Sequence, residues 1–213
     1  MEHHTFYEES YWGTDVRIRQ TTQGSDTLVI FLPGQNYSCE LPVLHYAAQS
    51  AIEQGLDVLL MEYGFQSARV ALEREQRSIL EEEILETVQD YSEGYDQLVF
   101  VSKSLGTLLA GYASQHIEAR RISHLYLTPL DGTLDYILRS SGLVIYGTKD
   151  SLFSEESRGK LEAHAADKLE IIKIPDAGHG LEVMDVRKSV EHLSQLVGAY
   201  TNFFDMIKKE AYL

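Results

Sequence analysis

Three residues of this chain have the types and placement needed to activate a weak nucleophile. Ser104 lies in Val99-Phe100-Val101-Ser102-Lys103-Ser104-Leu105-Gly106-Thr107, where a buried-strand pattern gives way to a helical pattern through Leu108, Leu109 and Tyr112. Ser102 and Gly106 supply small residues two positions to either side, as a sharp turn from strand to helix around a strained serine requires. A serine hydroxyl attacks a carbonyl only with a base beside it. Of the eight histidines, His3 and His4 stand near the start, and His45, His116, His164 and His192 fall in helical patterns, where surface or satisfied core histidines are the rule. His124 opens an apolar run. His179 differs, because it follows the run Leu169–Ile174 in the loop Pro175-Asp176-Ala177-Gly178-His179-Gly180, and its glycine neighbours leave its ring room to swing.

A carboxylate is needed to fix the imidazole tautomer and to stabilise the imidazolium. Asp150 closes Leu143-Val144-Ile145-Tyr146-Gly147-Thr148-Lys149-Asp150 and is the first candidate. Asp131, in Thr128-Pro129-Leu130-Asp131-Gly132, competes with it, whereas Asp176 sits too near His179 on the same loop.

The elements that must position these residues follow from apolar periodicity. Runs at Asp26–Leu32, Leu56–Tyr63, Asp96–Ser102, His124–Leu127, Leu143–Tyr146 and Leu169–Ile174 are apolar on both faces, as in strands of a covered parallel sheet. Helical patterns alternate with them at Leu41–Gln54, Ala68–Tyr91, Gly106–Ser114, Ser154–Ala166 and Val186–Lys209. Thr5–Tyr11 and Asp15–Thr21 alternate like half-exposed strands and predict an antiparallel hairpin ahead of the sheet. The expectation is one α/β domain over residues 1–213, with Ser104, Asp150 and His179 at the carboxyl edge, where open parallel sheets keep their ligand crevice.

Composition narrows the partners. Lys plus Arg is 18 against 33 Asp plus Glu, a formal charge of −15, which repels phosphate backbones and anionic headgroups; neither nucleic acid nor membrane is expected as the main partner. Cys39 is the only cysteine, so no intramolecular disulfide and no thiolate zinc cluster can form. Met1-Glu2-His3-His4-Thr5 does not read as a secretory leader, and a cytoplasmic location is expected. With no dinucleotide loop, phosphate loop or His-Glu-x-x-His, neither cofactor nor metal is expected. Ser157-Arg158-Gly159-Lys160 matches Ser-x-x-Lys but lies in an acidic surface helix and reads as accidental.

The order Ser104, Asp150, His179, each just past a strand of an alternating pattern, resembles the α/β-hydrolase family over nearly the whole chain. It is most similar to the small, lidless bacterial hydrolases of the dienelactone-hydrolase-like kind. Ser102 departs from the family pattern, which usually has glycine there, and Pro33-Gly34 replaces the His-Gly of many relatives. The resemblance implies an oxyanion hole from the backbone N–H groups of Leu105 and Gln35. It also implies a crevice without a lid, because only Thr128–Ser141 separates two strands where larger relatives insert one. Asn36, Tyr37, Tyr63, Phe65 and Leu130 are the candidate substrate-binding residues, Lys103 reads as solvent-facing, and Cys39 as a buried or incidental thiol. The activity implied is a serine hydrolase acting on a small carboxylic ester, thioester or lactone. The competing readings are a non-catalytic binding protein on the same scaffold, and acyl transfer or carbon–carbon cleavage with the same residues. Neither the acyl chain length nor the oligomeric state is readable.

Overall fold

Strands rich in Val, Ile and Leu, buried on both faces, assemble the middle of the molecule, and helices cover both sides. The computed structural model describes residues 1–119, 121–165 and 168–210. In chain order the elements are β1 (Glu2–Glu9), β2 (Asp15–Thr22), β3 (Thr27–Leu32), α1 (Pro42–Glu53), β4 (Asp57–Leu60), α2 (Gly64–Ser67), α3 (Arg77–Ser92) and β5 (Gln97–Lys103). They continue with α4 (Leu105–His116), β6 (Arg121–Leu127), α5 (Leu134–Ile137), β7 (Gly142–Gly147), α6 (Glu155–His164), β8 (Leu169–Ile174) and α7 (Val186–Glu210). One eight-stranded sheet runs β1-β2-β4-β3-β5-β6-β7-β8. The pairs β1–β2 and β2–β4 are antiparallel and the remaining pairs are parallel.

Period-two alternation divides the strands between two cores. Val29, Phe31, Val99 and Val101 pack with Ala47 and Ala51 of α1 and Tyr200 and Phe204 of α7. Leu28, Ile30, Leu98 and Phe100 face the other way, onto Leu80, Ile84 and Val88 of α3 and Leu109 and Ala113 of α4. A third cluster, around Tyr126, Val144, Tyr146, Phe153 and Leu161, sits beneath α5 and α6.

The helical pattern expected over Ala68–Tyr91 does not form one helix. Arg69 adopts φ 57°, a left-handed conformation that ends α2, and α3 begins only at Arg77, after a capping box between Glu73 and Gln76. The strand expected over Leu56–Tyr63 contracts to Asp57–Leu60, because Gly64 already opens α2. β6 starts three residues before His124, whose ring stacks between Phe100 and Tyr126 at centroid distances of 5.4 and 4.7 Å. Ala166, the expected last residue of the α6 helix, lies outside the described residues.

Parallel pairing brings the carboxyl ends of β3, β5, β7 and β8 to one edge, and a staircase of backbone bonds holds the loops there. Ser104 N–H donates to Leu127 O at 3.1 Å, Thr128 N–H to Ile145 O at 2.8 Å and Thr148 N–H to Ile174 O at 3.0 Å. The step from β5 into α4 presses Gly106 against β3, so that a Cβ there would stand 2.1 Å from Leu32 O and 2.7 Å from Pro33 O. Both obstacles are backbone. Gly106→Ala should therefore cost about 3 kcal/mol of stability and lower the melting temperature by roughly 10 °C. A melt by circular dichroism that overlays the wild-type curve would show that α4 can move off β3 freely.

Candidate active site

Ser104 occupies the turn between β5 and α4 at φ 52° and ψ −116°, a conformation a residue with a Cβ adopts at a cost of roughly 1–3 kcal/mol. The surroundings over-determine it. Its N–H is tied to Leu127 O, and its carbonyl accepts from Thr107 N–H at 2.9 Å and from Thr107 Oγ1 at 2.6 Å. Thr107 Oγ1 is in turn 2.7 Å from the buried Thr133 hydroxyl. The Ser104 hydroxyl is thereby aimed off the sheet, at the ring of His179. Oγ lies 2.8 Å from His179 Nε2, and His179 Nδ1 lies 2.8 Å from Asp150 Oδ2. The Asp150 side chain has no solvent exposure, and its other oxygen accepts Leu152 N–H at 2.9 Å. With Nδ1 donating to this carboxylate, Nε2 is the nitrogen free to take the serine proton. Asp131 stands elsewhere, its Oδ1 accepting Ser154 N–H at 2.7 Å at the start of α6.

The loop after β3 folds back on itself beside the serine. Gly34 N–H donates to Tyr37 O at 2.9 Å and Tyr37 N–H to Gly34 O at 3.3 Å, which leaves Gln35 and Asn36 at the tip. Gln66 Nε2 holds that tip, donating to Gly34 O at 2.8 Å and to Gln35 O at 2.9 Å. In a planar trans peptide the carbonyl and the next N–H point in opposite directions, so fixing Gly34 O also fixes the direction of the Gln35 N–H. Leu105 is the first residue of α4, where no intrahelical acceptor exists for its N–H. A pocket of about 260 Å³ opens over Ser104, with Gln35, Asn36, Tyr37, Leu152 and His179 in its walls.

Of the sequence candidates for substrate contact, Asn36 and Tyr37 line this pocket, and Phe65 lines a neighbouring groove beyond them. Tyr63 lies beneath the loop, with its buried hydroxyl donating to Pro33 O at 2.8 Å. Leu130 leads into the tight turn Asp131–Thr133 and is not part of the pocket wall; Leu152, half-exposed, fills that role. Ser102, standing where the family pattern usually has glycine, is accommodated fully buried between Leu32 and Tyr126 on the adjacent strands.

No protein-family model matches the chain, and no curated protein matches it in sequence. Solved structures do match. A serine α/β hydrolase without a lid from Xanthomonas campestris superposes with a TM-score of 0.66 at 16% identity, covering 92% of each chain. A dienelactone hydrolase from Anabaena variabilis gives 0.69 at 14% identity over 96% of this chain and 97% of its own. An esterase from Pyrococcus furiosus gives 0.68 at 17% identity over 94% of this chain and 92% of its own. The chain has the α/β-hydrolase fold. Likeness at such identities carries the fold, and the chemistry has to be read from this chain's own residues.

In this chain the residue before the serine is not solvent-facing, as its charge suggested, but only 2% exposed. Lys103 Nζ donates to Thr128 Oγ1 at 2.7 Å and to the backbone oxygen of His179 at 2.9 Å, and it lies 4.8 Å from the centre of the Tyr37 ring. One ammonium thus ties together the end of β5, the loop after β6, the histidine loop and the loop after β3. Its position on the central strand explains the burial: both faces there are covered, so its amine had to find acceptors inside. Gln66 and Leu152 had no signal in the sequence, since each acts through a contact with a distant segment. Cys39 is buried, its Sγ 3.6 Å from Met61 O, and burial pushes its thiol up to about 12, which makes it inert. Lys160 of the accidental Ser-x-x-Lys pairs with Glu156 at 2.6 Å.

Burial pushes the Lys103 amine down to about 8, opposed by the charges of Asp150 and Glu182. Its folded value is below its ordinary value of 10.5, so between those two limits the unfolded chain binds more protons. Stability from this group therefore rises with pH across that window, and below it the full cost of burying the charge is present. Comparing urea unfolding of wild type and Lys103→Met, the wild type should gain on the variant as pH is raised from about 8 to 10.5. A difference that stays constant with pH would contradict this placement of the amine.

Proposed function

We propose that the protein is a serine hydrolase that cleaves small carboxylic esters, or related thioesters and lactones, through an acyl-enzyme on Ser104. The observation that carries the reading is the continuous chain Ser104 Oγ, His179, Asp150, linked at 2.8 Å twice, with the serine strained at φ 52° in a pocket that Gln35 also lines. A serine held in a disfavoured conformation by so many bonds serves no packing purpose, because its side chain points into the pocket. Solved esterases and hydrolases of the same fold lend support at the level of architecture.

In the reaction Ser104 Oγ attacks the ester carbonyl carbon while its proton passes to His179 Nε2. The carbonyl π bond opens, and the resulting oxyanion is met by the Gln35 and Leu105 N–H groups, in directions that Gln66 and the α4 start have fixed in advance. The tetrahedral species collapses, the bond to the leaving oxygen breaks, and the Nε2 proton goes to that oxygen. Water then attacks the acyl-serine, giving its proton to Nε2, and the second collapse releases the carboxylic acid and restores Oγ–H. Asp150 stays ionised throughout and balances the imidazolium. A small acyl substrate is the partner this requires, with no cofactor or metal. Among the described residues no helix is long and apolar enough to cross a membrane, and the single reduced, buried Cys39 suits a cytoplasmic setting.

p-Nitrophenyl acetate turnover tests the assignment of roles. Ser104→Ala should lower kcat/KM by at least about 10⁴-fold with little change in melting temperature, and Asp150→Asn by on the order of 10³–10⁴-fold. Asp131→Asn, by contrast, should stay within about threefold of wild type, because it removes only a brace on α6. Turnover that survives in purified Ser104→Ala, or an Asp131 variant weaker than the Asp150 variant, would refute these roles.

A further inference from the structure

A second hollow adjoins the pocket over Ser104. It is a groove of about 290 Å³ between the start of α1 and the start of α7, with Pro42, Val43, Leu181, Val186, Val190 and Leu193 among its lining residues. Farther along α7 the apolar face is covered, and Leu196, Tyr200, Phe204 and Ile207 lie in the core. Over its first two turns Val186 and Val190 remain 76% and 61% exposed. An isolated exposed valine is ordinary, but two that share one concave wall form a site for an apolar group. Ser189 offers that group nothing polar, because its hydroxyl is already occupied by Val183 O and Val183 N–H, both at 3.0 Å.

The groove and the pocket meet at Gly180, which lines both. Gly180 follows His179 directly and has no side chain to stand between the two hollows that it lines. Tyr37 is a pocket wall whose hydroxyl accepts Val43 N–H at 3.0 Å, and Val43 belongs to the groove.

Resting on the serine-hydrolase reading, we propose that this groove receives the leaving-group arm of the substrate, so that the enzyme prefers esters of alkyl alcohols several carbons long. The chemistry chooses that arm. His179 Nε2 must hand its proton to the leaving oxygen, so that oxygen sits against the imidazole and its substituent departs past Gly180. The oxyanion points instead to Gln35 and Leu105. An alkyl chain suits the valine and leucine lining, and the charge of Glu182 at the rim disfavours an anionic one.

The test is kcat/KM for acetate esters of unbranched alcohols from ethanol to octanol, beside methyl esters of acids over the same lengths. Alkanols differ little as leaving groups, so the alcohol series reports binding. Wild type should gain about twofold per methylene in the alcohol series, roughly half the value of full burial, since the groove is open on one side. Val190→Glu and Val186→Glu, both at exposed positions, should flatten that gain while leaving ethyl acetate turnover and the melting temperature unchanged. A flat wild-type alcohol series, a gain that survives both substitutions, or a loss confined to the methyl-ester series would each overturn the proposal. Covalent labelling of Ser104 by a fluorophosphonate in the same preparations separates the two claims: absent labelling removes the hydrolase reading, whereas labelling with a flat series removes only the groove.

Discussion

The arrangement at the sheet edge depends on one constraint, the sharp reversal at Ser104. A serine at φ 52° must be forced there, and the force comes from contacts that cannot relax independently. Gly106 touches the β3 backbone, so α4 starts close against the sheet; Leu127 O holds the serine N–H; Thr107 and Thr133 hold its carbonyl. Parallel pairing of β3, β5, β6, β7 and β8 then places the loops carrying Gln35, Asp150 and His179 around that turn. A rigid sheet under four short loops gives atomic positioning that loops alone could not hold.

Electrostatics at this edge are unusually dry. Asp150 and Lys103 are both 2% exposed, and His179 lies between them in bonding terms, its ring on the carboxylate and its carbonyl on the ammonium. A buried charge is costly unless paired and hydrogen-bonded: Asp150 is met by the His179 ring and the Leu152 N–H, whereas Lys103 is hydrogen-bonded to a hydroxyl and a carbonyl and keeps a burial cost that lowers its amine. The histidine loop is consequently held from both ends of the residue that must not move. Lys103 also spans to Thr128 and faces Tyr37, so the loop after β3 and the histidine loop share one anchor. Gln66 completes the support by orienting the Gln35 amide through the carbonyl on the other end of the same peptide.

What could be read from residue types alone was what local patterning encodes. Alternating apolar runs and helical stripes placed the covered sheet and the alternation of its strands with helices along the chain, and the antiparallel hairpin appeared with β2 in nearly the expected span and β1 displaced toward the start, at Glu2–Glu9 instead of Thr5–Tyr11. Ser104 and His179 were visible because strained turns and swinging loops need small neighbours, which leave a mark in sequence. Asp150 could be ranked above Asp131 only by position, and the 2.8 Å bond to His179 is a tertiary fact. The pattern over Ala68–Tyr91 misled because periodicity does not register the left-handed residue at Arg69. Lys103 misled for the opposite reason. Charge predicts exposure on average, but a central strand end with Thr128 Oγ1 and a free carbonyl within reach overrides the average. Leu130 gave way to Leu152 because a tight turn redirected the chain just before the pocket.

The central claim is that Ser104 is an activated nucleophile and that His179 activates it. Its most direct test is the intact mass of the folded protein after incubation with a fluorophosphonate, followed by peptide mapping. The account predicts a single adduct, on Ser104, that forms rapidly in wild type and is lost in His179→Ala. An unmodified wild type, or an adduct that forms as readily without the imidazole, would contradict it.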